Sequence, residues 1–166
     1  LFSYINIVVL LTRFGTEQSM IRFYNEGEKS SIFCSSFFIT TVSAILLSLL
    51  LIFISYFGIL GTDYLFTYSV VFLIGVTVLS LSQVSGSFFM AKGKPIIFFL
   101  LYIITSGRFI LLFFFISFGV LGIFSSFVVA SGLSAIFALF VLYHYGVRLQ
   151  LPEKNFISNS LQYSLG

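Results

Sequence analysis

Residues 32–62 read IFCSSFFITTVSAILLSLLLIFISYFGILGT, and no Asp, Glu, Lys or Arg occurs between Ile32 and Thr62. Crossing the hydrocarbon of a bilayer takes about 20 apolar residues in a helix. Strands of a membrane barrel alternate polar and apolar over about 10 residues, and this run does not. Backbone groups in lipid must pair within the segment, so the run predicts a spanning α-helix.

Two more charge-free runs lie further along the chain, Tyr64 to Ala91 and Phe109 to Val147 with His144 neutral. The second of these is long enough to finish one span and hold all of another, with a turn near residues 118–122. The composition agrees: 59% of residues are hydrophobic and 8% charged, and the mean hydropathy is +1.15. A soluble domain carries roughly 25% charged residues. So few charges could not cover a water-facing surface, and lipid is the solvent that fits.

The expected fold class is an all-α integral membrane protein with about five transmembrane helices, the first truncated. The helices are expected at about 1–24, 31–57, 65–90, 95–118 and 122–145. Residues 1–150 form the transmembrane part and 151–166 a polar cytoplasmic connection. Pro95 suits a helix start, where its missing N–H costs no hydrogen bond. The small residues around Gly107 and from Ser131 to Ala135 are expected at close helix contacts. The chain opens on Leu1 inside an apolar run and ends on Leu165-Gly166, and so reads as an internal piece of a longer protein.

Lys29, Lys92, Lys94, Arg148 and Lys154 fall in alternate connections, whereas residues 58–64 carry only Asp63 and residues 119–122 no charge. By the positive-inside rule the lysine-bearing connections are cytoplasmic. Tyr24, Tyr143 and Tyr145 on one side, and Tyr56, Tyr64 and Tyr68 on the other, suit interfacial belts. Cys34 has no partner cysteine and reads as a reduced, packed residue.

The usual chemistry of enzymes is missing from the pattern. One His, one Cys and five carboxylates are spread over the chain, without metal-ligand spacing or a nucleophile elbow. No Gly-rich phosphate loop occurs. The expectation is a non-enzyme with no cofactor, no metal and no nucleic-acid partner.

Polar groups at membrane depth stand out instead: Arg13, Glu17 and Gln18 in the first helix, Gln83 in the third and Arg108 in the fourth. At 1.5 Å per residue, Glu17 lies roughly 10 Å and Arg13 roughly 16 Å from the level of Tyr24, and Arg108 roughly 20 Å from Pro95. Ionisable side chains at such depth are costly and normally face a cavity or a partner. Arg13, Glu17 and Arg108 are therefore candidate cavity residues for an anionic head group, which arginine grips well. The alternatives are an Arg13–Glu17 pair at i,i+4 and a snorkelling Arg108. Arg22 also suits an ordinary interfacial cation, and Gln83 suits a helix–helix hydrogen bond.

The stretch Phe14-Gly-Thr-Glu-Gln-Ser-Met-Ile-Arg-Phe-Tyr24, followed by Asn25-Glu-Gly-Glu-Lys29, resembles the end of the second helix of bacterial polysaccharide flippases. These belong to the multidrug/oligosaccharidyl-lipid/polysaccharide exporter superfamily. Phe89-Met-Ala-Lys-Gly-Lys-Pro95, then Arg108, resembles that family's connection into the next helix. Asn159-Ser-Leu-Gln-Tyr-Ser-Leu165 is similar to its approach to the seventh helix. The resemblance implies most of one six-helix N-terminal lobe of a two-lobe transporter, with the C-terminal lobe as its missing partner. It implies a flippase moving undecaprenyl-pyrophosphate-linked oligosaccharide, of O-antigen, capsule, exopolysaccharide or teichoic-acid type, across the bacterial cytoplasmic membrane by alternating access. By position, Arg13, Arg22 and Arg108 would meet the pyrophosphate. A multidrug exporter of the same superfamily and a non-transporting membrane scaffold are the alternatives.

Overall fold

A computed structural model describes residues 2–12, 16–24, 29–58, 64–148, 150 and 152, and among these every regular element is helical. The elements are α1 (Phe2–Thr12), α2 (Thr16–Phe23), α3 (Lys29–Tyr56), α4 (Tyr64–Thr67), α5 (Ser69–Ala91), α6 (Pro95–Ser106), α7 (Arg108–Phe115) and α8 (Gly119–His144), with a 3₁₀ turn at Ile116–Phe118 before α8. Three helical stretches are long and apolar enough to cross a membrane: Lys29–Tyr56, Ser69–Ala91 and Pro95–His144.

The third stretch is a hairpin. Ser134 bonds the Leu101 carbonyl, Arg108 lies over Phe127, and a Cβ on Gly122 would collide with the Phe115 carbonyl. These pairings run antiparallel, so α6 and α7 fold back along α8. The turn needs glycine twice. Gly119 sits at φ 62° and ψ −138°, which side chains resist, and Gly122 leaves room for the Phe115 carbonyl.

Helix α5 is the axis of the bundle. It packs on α1, α2, α3, α6 and α8, whereas among the described residues the backbones of α3 and α8, and those of α1 and α6, keep apart. On both α3 and α8, small residues at four-residue spacing are buried. Ser36, Thr40, Ala44 and Ser48 are buried on α3, and Gly122, Ser126, Ala130, Ser134 and Ala138 on α8. Small side chains in register let helix backbones approach closely without a hydrophobic driving force. Between the helices run hydroxyl bonds, Thr12 with Ser80 at 3.1 Å and Ser82 with Ser134 at 2.7 Å.

The outward face is the reverse. Phe113 is 81%, Phe140 69% and Leu10 68% exposed, while Ser80, Ser85, Ser131 and Ser134 are buried. Hydroxyls lie inside beside a buried core that includes Phe33, Phe72, Phe88 and Phe89, and so much exposed apolar area suits a lipid solvent and is rare on a water-soluble surface.

Some sequence expectations meet a finer structure. The helix expected over 1–24 is described as α1 and α2, with Arg13 outside the described residues. The helix expected over 95–118 is divided at Gly107. A Cβ there would stand 2.9 Å from the Ile104 carbonyl oxygen of the same helix. The crowding at Gly107 thus comes from its own turn and not from a neighbouring helix, contrary to the expectation. Asp63 and Lys154 also lie outside the described residues.

The helix ends sort to two sides. Helices α5 and α8 finish with the same device: Lys94 N–H bonds the Phe89 carbonyl and Gly93 N–H that of Met90, as Val147 bonds Leu142 and Gly146 bonds Tyr143. This pair of bonds closes a helix with a left-handed residue, supplied by Gly93 at φ 71° and Gly146 at φ 76°. Both ends meet the start of α3, where Ser30 Oγ accepts from Arg148 N–H at 3.3 Å. The connections carrying Lys29, Lys92 and Arg148 therefore share one side of the bundle.

Candidate functional site

Because α1 and α6 both lean on α5 with their backbones apart, a cleft opens between them. Its floor is the α5 face that carries Leu79, Ser82, Gln83 and Gly86. Its walls are Asn6 of α1 and Tyr102, Thr105 and Ser106 of α6, with Phe127 of α8 and Arg108 at the far end. The cleft holds about 180 Å³, and a second space of about 290 Å³ adjoins it past Arg108 and Phe127.

Gly86 sets the depth of the floor. A Cβ at that position would stand 3.0 Å from the Phe98 ring, so α6 approaches α5 closely just below the cleft. Above, Gly107 lets the chain tighten and restart as α7 on Arg108. Arg108 is half-buried, and its guanidinium carbon lies 5.1 Å from the Phe109 ring centroid and 5.5 Å from that of Phe127. The ring faces attract a cation but offer it no anion. Among the described residues neither a carboxylate nor a hydrogen-bond acceptor meets the guanidinium.

Gln83 stands across from it. Its amide oxygen is buried and has no donor among the described residues. An unpaired buried amide oxygen costs free energy until a donor arrives. Arg108 and Gln83 thus put an unneutralised cation and a buried, unpaired amide oxygen beside one space that hydroxyl side chains also line. Such a set binds an anionic, hydroxyl-rich ligand by charge-assisted and neutral hydrogen bonds. It holds no nucleophile paired with a base, and no three His, Cys, Asp or Glu gather among the described residues.

The other sequence candidates are placed differently. Glu17 is half-buried where α2 meets α5. Its Oε1 accepts from Ser87 Oγ at 2.8 Å, and the same hydroxyl lies 3.1 Å from the backbone carbonyl oxygen of Gln83. Glu17 is one turn from the cleft floor but does not line the cleft. Arg22 is exposed. Of the five, Gln83 and Arg108 are brought together. Asn6, Tyr102, Thr105 and Ser106 line the cleft and were not anticipated. Asn6, a lone amide in the apolar run Ile5-Asn-Ile-Val-Val-Leu-Leu11, was the one visible signal among them.

Comparison with protein-family models, with curated proteins and with solved structures found no match to this chain.

Proposed function

We propose that this chain is part of a flippase for lipid-linked oligosaccharide, most of the N-terminal lobe of a two-lobe transporter in the bacterial cytoplasmic membrane. The observation that carries the reading is the half-buried Arg108, without an acidic partner among the described residues, facing a polar cleft. Its place roughly 20 Å along the helical rise from Pro95 sets it near mid-membrane. A charge held there normally marks a substrate path.

The pyrophosphate of an undecaprenyl-linked glycan supplies the oxygens that Arg108 lacks, in the forked geometry arginine favours. Gln83, Asn6, Thr105 and Ser106 suit the sugar hydroxyls nearby, and the lipid tail stays in the bilayer. A C-terminal lobe facing the cleft would complete the cavity, and rocking of the two lobes would expose it to each side in turn. The lysine-bearing side is then cytoplasmic. Among the described residues no carboxylate lines the cleft, which favours an anionic cargo over the organic cations of a multidrug exporter.

The test is glycan display in cells whose own gene carries the variant. Arg108→Ala should abolish most display at normal protein abundance, and Arg108→Lys should restore only part of it. Full display from a well-expressed Arg13→Ala, Arg108→Ala double variant overturns the proposal.

A further inference from the structure

A second polar space, of about 390 Å³, lies at the end of the bundle where three helix termini meet. It is lined by Lys29 and Ser30 at the start of α3, Phe88 and Lys92 at the end of α5, and Tyr145, Gly146 and Val147 at the end of α8. These residues come from widely separated parts of the chain and are held together by specific contacts. Ser30 accepts from the Arg148 backbone, and the Lys92 ammonium sits 3.9 Å from the Tyr145 ring centroid. Gly93 and Gly146 stop their helices so that Lys92 and Tyr145 occupy matching last positions.

Lys29 and Lys92 therefore border one small space, the Lys29 ammonium lying 5.1 Å from the Tyr24 ring centroid. The arrangement is electrostatically unfavourable on its own terms: burial first, and then Lys29 and Lys94, pull the Lys92 pKa below its usual value. Among the described residues no carboxylate pairs with Lys29 or Lys92; Glu26, Glu28 and Glu153 lie outside them. The helix ends modify the field without cancelling it. The ends of α5 and α8 each bring about −0.5 charge and the start of α3 about +0.5, against two lysines, leaving about +1.5 from the described groups. At the rim, exposed Met90 and Tyr143 extend this end of the bundle into apolar surface.

We infer that this pocket binds the phosphate of an anionic phospholipid head group, with Lys29 and Lys92 as its cationic jaws and Ser30 as a hydroxyl donor. The level of the pocket argues for lipid as the source. It lies just beyond the last apolar turns of α5 and α8, where head groups stand, and basic pockets between membrane helices at that level hold such groups. The Tyr145 ring keeps Lys92 turned inward, which spares the entropy of ordering a long side chain on binding. The inference is independent of the transport reading, since the pocket shares no residue with the Arg108 cleft.

The experiment is native mass spectrometry of the purified full-length protein with phosphatidylglycerol, with phosphatidylcholine and with inorganic phosphate. Phosphatidylglycerol should be retained and phosphatidylcholine should not. One lysine near the head groups is worth about a factor of five in affinity. Lys29→Gln and Lys92→Gln should each weaken retention about five-fold and the pair about thirty-fold. Lys94→Gln, outside the pocket, should change it less than two-fold. In the wild-type protein, retention should fall as salt is raised, a readout that needs no variant to fold. Equal retention of phosphatidylcholine, insensitivity to salt, or an unchanged affinity in the double variant overturns the site. Inorganic phosphate that competes at low millimolar concentration overturns the lipid as its occupant.

Discussion

Replacing Ser134 should cost twice what replacing Ser82 costs, and replacing both should cost no more than Ser134 alone. Ser134 Oγ donates to the Leu101 carbonyl at 3.1 Å and lies 2.7 Å from Ser82 Oγ. A hydroxyl has one proton. Since that of Ser134 is committed to Leu101, Ser82 must be the donor in the serine pair. The chain of bonds thus runs from α5 through α8 to α6, and Ser134 takes part in both links. An interhelical hydrogen bond in a membrane averages about 0.6 kcal/mol. Ser82→Ala removes one link, for about 0.6 kcal/mol, and Ser134→Ala removes both, for about 1.2 kcal/mol. The double variant then also costs about 1.2 kcal/mol, with a coupling energy of about 0.6 kcal/mol. Unfolding of the purified full-length protein in mixed micelles, followed by loss of helical circular dichroism, measures all three. Additive costs, or a Ser82→Ala as harmful as Ser134→Ala, would refute the direction assigned to the bonds.

Three other outcomes are expected. Gly119→Ala should destabilise by about 1–3 kcal/mol in the same unfolding measurement, because the cost is in the backbone dihedral alone: no atom lies within 4 Å of the added Cβ. Gly86→Val should push Phe98 and fill the cleft floor, lowering glycan display while Arg108 is intact; normal display from a stable variant would remove the cleft from the transport path. Single cysteines at positions 93 and 146, in a Cys34→Ala background, should label with an impermeant maleimide from one side of the membrane, and those at 58 and 119 from the other. Labelling of 93 and 146 from opposite sides would contradict the bundle.

The spans were legible because a bilayer selects for the length of an apolar run, which sequence shows directly. Which face of a span looks inward was far less legible. These helices are apolar all round, so amphipathic periodicity says little. The usable signal was the spacing of small residues. The stripe Gly122, Ser126, Ala130, Ser134 and Ala138 is visible in the sequence, and the expected run Ser131–Ala135 meets it only at Ser134. Arg108 stood out as a lone charge between two apolar runs. Asn6 did not, because an amide carries no charge to interrupt a run. Glu17 looked like a companion of the arginines on grounds of nearness in sequence. Its hydrogen-bond partner, Ser87, is 70 residues away, a relation that only the packing of α2 on α5 creates. The pocket between Lys29 and Lys92 was hidden for the same reason, although glycine just after Lys92 and just after Tyr145 hinted that two helices stop alike.

The distribution of side chains also reverses the ordinary map of mutational tolerance. In a water-soluble bundle the surface accepts polar exchange and the core accepts one oily residue for another. Here Leu10, Phe113 and Phe140 meet an apolar surrounding, so Leu, Ile, Val and Phe should interchange there with little penalty. Ser36, Thr40, Ala44 and Ser48 on α3, and their counterparts on α8, have no room for such exchange. A side chain longer than threonine at those positions would push the neighbouring backbone away. Sequences related to this one should therefore drift freely in their lipid-facing bulky residues and hold both to their small residues at four-residue spacing and to the buried rings of Phe33, Phe72, Phe88 and Phe89.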